Sequence, residues 1–326
     1  EESAQQVRSR ADRVSAGEGI SLLPEVDVAV IEATVRAERP QVVVVDSIQT
    51  LLDPDLDGVP GSVGQVRASA ARLVRLAKTG DVTLIVVGHV TKDGSIAGPR
   101  VLEHVVDTVL YFEGDADHAF RIVRAAKNRF GSVSEVGIFE MGDAGLEEVG
   151  QPSSALLAQR TKGVAGSVVM ATMEGSRPLL VEVQALVTPS YLQMPRRLSV
   201  GVETARLLQV LAVLARRADL ALGSYDVYVS IAGGIRVSEP AVDLPLALAL
   251  ASSRRDRPLI SDAVTFGEIG LTGDIRAVPH GQARLKEAAR MGFARSVGSR
   301  VDAVPSAAFE HVAPATLAAA IEAALR

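Results

Sequence analysis

Two short aliphatic runs constrain what this chain can fold into. Gln41–Ser47 (QVVVVDS) places four valines before Asp46, and Val82–Gly88 (VTLIVVG) ends just before His89. β-Branched runs too short for a helix, with no polar alternation, predict strands covered on both faces, as in a parallel sheet. Between them, residues 65–79 have helical spacing, with Arg67, Arg72 and Arg75 on the polar side. Strand, helix, strand in that order predicts a doubly wound α/β sheet, whose ligands sit beyond the carboxyl ends of its strands. Asp46 and His89 stand at those ends. Hydrophobic residues make up 48% of the chain and aromatics 3%, so the cores must be built from Val, Leu, Ile and Ala, which suits this class.

Helical spacing also covers residues 3–14 and 25–39, the second stopped by Arg39-Pro40. Residues 53–64 (DPDLDGVPGSVG) read as a mobile loop and 91–100 (TKDGSIAGPR) as a second exposed one. A short helix near 101–106 leads to strands at 107–113, 119–127 and 133–140, an expected antiparallel meander with Lys127–Gly131 at its second turn. Residues 148–154 (EVGQPSS) resemble a linker, dividing the chain into 1–150 and 151–326. The second part predicts strands at 164–174, 178–188, 226–231 and 264–268, and helices at 201–217, 241–253 and 281–291. Turns fall at Gly233-Gly234 and Gly270–Gly273, and the layout is α+β.

A length of 326 residues suits about two domains. The absence of cysteine excludes disulfides and thiolate metal sites within these residues, and histidines at 89, 104, 118, 280 and 311 lack ligand spacing. No charge-free apolar stretch of about eighteen residues occurs, nor a basic segment leading into an apolar one; no membrane association is expected and the protein reads as cytoplasmic. A net charge of −5 argues against an indiscriminate nucleic-acid binder. The halves differ, however: residues 1–150 carry 15 basic and 24 acidic residues, a net of −9, and 151–326 carry 19 and 15, a net of +4. The basic half suits a surface facing a polyanion. Because the chain opens at Glu1 and a helical pattern begins at once, it reads as a fragment of a longer protein.

Asp46 occupies the position from which nucleotide-hydrolysing sheets hold the water shell of Mg²⁺; the plainer reading is an Asp closing a turn. His89 suits a hydrogen bond to a γ-phosphate, or is simply a satisfied polar group at a strand end. Glu1 and Glu2 are placed to polarise an attacking water, or are solvent-facing terminal acids. Lys92 and Arg100 offer phosphate contacts to nucleic acid, and Gly94 and Gly98 allow close backbone approach; incidental loop charge is the alternative. Neither loop contains an aromatic, so base stacking is not their mode. Lys127 and Arg129, two apart on a strand, share a face and suit an anion, or crown a solvated hairpin tip. No Gly-x-x-x-x-Gly-Lys-Ser/Thr loop occurs, so these residues alone are not expected to bind ATP tightly. In the second part, Ala241 has no nucleophilic atom where a helix begins, and Ser238 lies on the wrong side of Pro240.

With these residues assembled, the chain resembles the RadA (Sms) family of bacterial recombination and repair proteins over essentially its whole length. The stretches that carry the resemblance are Val45–Gln49, Pro60–Arg67, Val87–Gly94, Ala97–His104, Gly114–Asp117 and the highly specific Lys127–Gly131, together with the opening Glu1-Glu2-Ser3 and Gln5-Gln6-Val7. The resemblance implies a partial RecA-like ATPase core at 1–150, doubly wound and mainly parallel, similar to hexameric replicative helicases. A Lon-protease-like α+β domain would follow at 151–326. Family members carry a four-cysteine zinc finger and a phosphate loop upstream of Glu1, so zinc is expected only there. ATP and Mg²⁺ are the implied cofactors. Glu1, alone or with Glu2, would be the water-polarising acid, Asp46 the Walker B acid with water-mediated Mg²⁺, and His89 a phosphate sensor. Loops 53–66 and 91–100, the latter with Lys92 and Arg100, would line a DNA channel. Lys127 and Arg129 would reach a neighbouring subunit's ATP as arginine fingers do, or contact DNA.

The Lon-type likeness rests on Pro178–Leu186, Gly233-Gly234, Asp256–Pro258 and Phe266–Leu271. Ala241 stands at the place of a Lon serine. A lysine is expected near 281–283, where there is none, and Lys286 is displaced by about one helical turn. A peptidase-inactive ring scaffold with a DNA-contacting surface is the implied role. The implied whole is a DNA-dependent ATPase in a homohexameric ring, driving branch migration on single-stranded or branched DNA alongside the RecA recombinase. An ATP-independent DNA-binding scaffold and a Lon-type peptidase are the alternatives.

Overall fold

The computed structural model describes residues 4–14, 19–89, 102–114, 120–260 and 263–325. They form a mixed α/β structure with parallel and antiparallel sheets. The chain divides into two compact units: Glu1–Tyr111 with Ala125–Val133 and Gly142–Gly145, and Phe112–Arg124 with Ser134–Met141 and Leu146–Arg326. Among the described residues no helix is long and apolar enough to cross a membrane.

The first unit contains α1 (Ala4–Arg13), α2 (Val28–Glu38), β1 (Val42–Asp46), α3 (Val63–Gly80) and β2 (Thr83–Val87). Asp27 starts α2 by accepting a 2.7 Å hydrogen bond from the Ala29 amide, and Arg39 ends it in the left-handed conformation just before Pro40. β1 and β2 pair in parallel, from Val42↔Thr83 to Asp46↔Val87. Val28, Ile31 and Val35 of α2 and Val66, Ala70 and Leu73 of α3 close a core with Val45 and the partly buried Val43, Leu84 and Val86. Among the described residues the sheet is therefore covered on one face, not on both as the valine run predicts. Val42, Val44 and Ile85, on the alternate face, are each at least half exposed, because the described helices bury only the other side.

The segment expected to be a mobile loop is tied down over its first part. Gln65 is fully buried in α3; its Oε1 accepts from the Asp53 amide at 2.7 Å, and its Nε2 donates to the Leu56 carbonyl at 2.7 Å. Arg72, on the polar side of that helix, joins Glu32, Asp53 and Asp55 at 2.9, 2.8 and 3.3 Å. Its hydrogen bond to Glu32 is the main reason its pKa is raised above the ordinary arginine value.

Four strands follow: β3 (Thr108–Glu113), β4 (Phe120–Asn128), β5 (Val136–Gly142) and β6 (Gly145–Glu148), one more than expected. In the second unit β4 and β5 pair antiparallel, from Phe120↔Glu140 to Arg124↔Val136. The stretch read as a linker runs into a helix, α4 (Pro152–Leu157), with Pro152, Ser153 and Leu156 buried. Pro152 at its start needs no amide partner, and the buried Ser153 hydroxyl donates to Glu287 and accepts from the Leu180 amide at 3.1 Å. A short polar stretch looks the same in sequence whether it is solvated or capped and buried.

The remainder supplies β7 (Ser167–Glu174), β8 (Arg177–Pro189), β9 (Arg197–Val200), α5 (Thr204–Arg217), β10 (Tyr225–Ile231) and α6 (Asp243–Arg255). Then come β11 (Ala263–Phe266), β12 (Glu268–Ile269), β13 (Ile275–Arg276), α7 (Gly281–Arg290), β14 (Arg295–Gly298), β15 (Glu310–Val312) and α8 (Leu317–Ala324). Seven strands form one mixed sheet in the order β15-β14-β11-β7-β8-β10-β9. Every residue of α6 from Asp243 to Ser252 is buried, as its apolar composition on all sides requires, and it packs on β7 and β8. Gly175 makes the turn between those strands at φ +59, where a Cβ would collide with the Ser134 carbonyl oxygen.

Candidate functional site

In the first unit Asp46 ends β1 and His89 follows β2 by two residues, so the parallel register brings both to one edge of the pair. Both are exposed. After Asp46 the chain enters a single 3₁₀ turn, Ile48–Thr50, whose Ile48 is fully buried in the core. Thr50 closes that turn by donating through its amide and its hydroxyl to the Ser47 carbonyl, at 3.2 and 2.8 Å. The turn aims Gln49 across the strand ends, and its Nε2 donates to the His89 carbonyl at 3.3 Å. Its Oε1 is buried with no hydrogen-bond partner among the described residues. One side chain thus links the segment after Asp46 to the segment at His89.

Asp46 offers a single carboxylate, and no group of three His, Asp or Glu gathers anywhere among the described residues. That donor set fits a cation held through water and not one caged by protein oxygens. Glu1, Glu2, Lys92 and Arg100, the other expected contributors, lie outside the described residues.

Lys127 and Arg129 turn toward one neighbouring segment. The Lys127 ammonium donates to the Glu103 and Val106 carbonyls at 2.6 and 2.8 Å. These belong to a helical turn in which the Val105 and Val106 amides donate to the Leu102 carbonyl, so Lys127 satisfies carbonyls that the turn leaves open. Arg129 pairs with Asp107 at 2.5 Å, and its own amide donates to the Asp107 carbonyl at 3.0 Å. Asn128 shapes the bend: its Oδ1 accepts from the Phe130 amide at 3.2 Å and its Nδ2 donates to the Ser132 carbonyl at 3.3 Å. At Gly131 a Cβ would approach that Nδ2 to 2.9 Å. Phe130 is 82% exposed at the tip. The two cations are therefore not equivalent. Lys127 is committed to carbonyl oxygens, and Arg129 is held by an exposed ion pair that a stronger anion can displace.

In the second unit, Ala241 is fully buried and Ser238 is exposed. Between them Glu239 accepts from the Thr172 hydroxyl at 2.7 Å, the Met173 amide at 2.8 Å and Arg284 at 2.9 Å. Burial alone would raise the pKa of Glu239, but Arg284, Thr172 and the Met173 amide more than offset it and hold the carboxyl below its usual range. Arg284, only 1% exposed, also donates to the Ala171 and Pro279 carbonyls at 2.6 and 3.1 Å. Sequence reading passed over Gln49, Asp107 and this ion pair. Only Gln49 carried a signal, as the last residue of Val45–Gln49.

No family model matches the chain. It is similar to the DNA repair protein RadA of Pseudomonas aeruginosa, with 53% identity over 298 residues, covering 91% of this chain and 66% of the relative. To the DNA repair protein RadA of Bacillus subtilis it is 49% identical over 298 residues, 91% of this chain and 65% of the relative. To that of Streptococcus pneumoniae it is 48% identical over 296 residues, 90% of this chain and 70% of the relative. The chain thus spans about two thirds of the length of these curated relatives.

Proposed function

Since the chain belongs to the family of DNA repair protein RadA, we propose that it is the larger part of a DNA-dependent ring ATPase that moves branch points in recombination intermediates alongside the RecA recombinase. Residues 1–150 would be the later part of a RecA-like ATPase domain, and 151–326 a Lon-protease-like domain that serves as ring scaffold and DNA-contacting surface without peptidase activity. The observation that carries this reading is the parallel β1–β2 pair, with Asp46 and His89 on one edge and Gln49 joining their segments.

Asp46 would hold the water shell of Mg²⁺, which when bound with ATP neutralises charge on the phosphates. His89 would hydrogen-bond a terminal phosphate oxygen, and Gln49 would carry any shift of that segment to the turn after Asp46. Glu1 and Glu2 would orient the attacking water. Lys92 and Arg100 would contact DNA phosphates. Arg129 would leave Asp107 to stabilise charge on a neighbouring subunit's ATP, or on DNA, while Lys127 holds the supporting turn. The Glu239–Arg284 pair, whose arginine is buried, beside an alanine where a nucleophile would act, favours a structural role for the second unit.

The test uses the full-length protein with its upstream segment. DNA-stimulated ATP turnover should be present, and should fall by about 10²-fold or more in Asp46→Asn if that carboxylate positions the cation. In mixed assemblies Arg129→Ala subunits should bind nucleotide normally yet fail to activate a wild-type neighbour's site. Absence of turnover in an assembled ring would end the motor reading and leave an ATP-independent DNA-binding scaffold.

A further inference from the structure

The hairpin that carries Lys127 and Arg129 is gripped at its neck by a turn from later in the chain. Its legs, β4 and β5, pair from Phe120↔Glu140 to Arg124↔Val136, so Arg124 is the last residue of that ladder before the tip. The legs, up to Arg124 and from Ser134 onward, belong to the second unit, and Ala125–Val133 between them to the first. Phe120, Val136 and Ile138 anchor the legs in the second unit's main core. The turn between β7 and β8 then meets both legs at the neck. On one leg the Arg124 guanidinium pairs with Glu174, the buried last residue of β7, and with Glu113 of β3 at 3.1 Å. On the other, the Ser134 carbonyl accepts from the Ser176 amide at 2.7 Å and from the Ser176 hydroxyl at 3.1 Å. Gly175 lies between them, and the collision that a Cβ there would make with the same carbonyl oxygen means that only glycine permits this approach.

We propose that Glu174, Gly175 and Ser176 are positioning residues for Arg129: by holding both legs at the neck, the turn sets the direction in which the tip presents its guanidinium. The proposal rests on the reading of Arg129 as a group that acts on a neighbouring subunit's ATP. In that reading Arg129 must leave Asp107, and the tip then loses its ion pair. Lys127 still holds the Glu103 and Val106 carbonyls, and the rest of the support comes from the legs. A misdirected guanidinium costs rate even when every reacting group is present, because transition-state contacts are lost within about 1 Å of displacement. The two ion pairs suit these opposite duties. The Arg129–Asp107 pair is exposed on both sides and exchanges readily, whereas the Glu174 carboxylate is buried and needs its cation.

Full-length protein carrying Glu174→Gln, which keeps the shape and removes the charge, tests this together with Arg124→Gln on the hairpin side. Hydrogen exchange read by mass spectrometry should quicken several-fold over residues 125–133 in both variants. Ile321→Val, which loosens the core of the same unit at α8, should leave exchange over 125–133 as in the parent. DNA-stimulated kcat should fall about 10-fold in Glu174→Gln with KM for ATP unchanged, and in mixed assemblies the loss should appear at the wild-type neighbour's site. The double variant should be no worse than either single one, since each removes the same contact. Unchanged exchange over 125–133 in a folded Glu174→Gln protein overturns the proposal. So does a loss confined to the variant's own site with KM raised, or losses that add in the double variant. A parent without turnover would instead end the reading of Arg129 on which this rests, and quickened exchange in Glu174→Gln would still show that the turn holds the hairpin.

Discussion

At the scale of single residues, Lys127 and Arg129 separate two roles that their spacing alone could not. Lys127→Met keeps the aliphatic stem but strands the Glu103 and Val106 carbonyls, and should lower the stability of the first unit by about 1–3 kcal/mol. Arg129→Ala removes an exposed pair and should cost less than about 1 kcal/mol. Chemical denaturation of both variants checks this contrast, and equal losses would show that Lys127 is not the structural member. Asp46 and His89 were legible because a β-branched run announces a strand and a polar residue marks its end. The link that Gln49 makes was not, since a hydrogen bond spanning 40 residues leaves no periodic trace. The partners of Lys127 lie 24 and 21 residues earlier, in a segment whose sequence indicated only a short helix.

At the scale of elements, the second unit is locked by polar groups as well as by its core. Glu239 joins the start of α6 to β7 and α7, and Glu239→Gln would leave Arg284 buried with its charge uncompensated. A loss of about 3–5 kcal/mol is expected, largely recovered in Glu239→Gln/Arg284→Met, with thermal melting as the readout. Strands β14 and β15 are joined by His311, whose Nε2 lies 3.1 Å from the Ser299 carbonyl and whose Nδ1 lies 2.7 Å from the Ser296 hydroxyl. That pairing suits the neutral ring, with Nε2 donating and Nδ1 accepting. Burial, opposed only in part by the Ser299 contact, lowers the His311 pKa below its ordinary value of 6.5. Its contribution is therefore complete above that value and is lost as pH falls through the lower folded pKa. Urea midpoints should fall as the solution is acidified below about pH 6.5, and His311→Gln should flatten that part of the profile. These elements were the hardest to read: β9, β14 and β15 are too short to show a period, and the helix at 152–157 opens with Pro and two Ser that equally suit a linker.

At the scale of the whole molecule, the two units differ in how completely they are closed. The second has a helix buried on all sides beneath its large sheet, whereas the first has only two strands in its parallel sheet among the described residues. The outward valines of β1 therefore bear on colloidal behaviour as well as on fold. Val42–Val45 combines high β propensity, no charge and no proline, and Val42 and Val44 meet solvent beside strand edges unpaired among the described residues. Such a segment can recruit its like from other molecules into intermolecular strands, so storage at high concentration should produce turbidity and thioflavin-positive material. Val44→Lys, which places a charge on the open face and leaves Val43 and Val45 in the core, should delay both, and an unchanged lag time would locate the aggregating segment elsewhere.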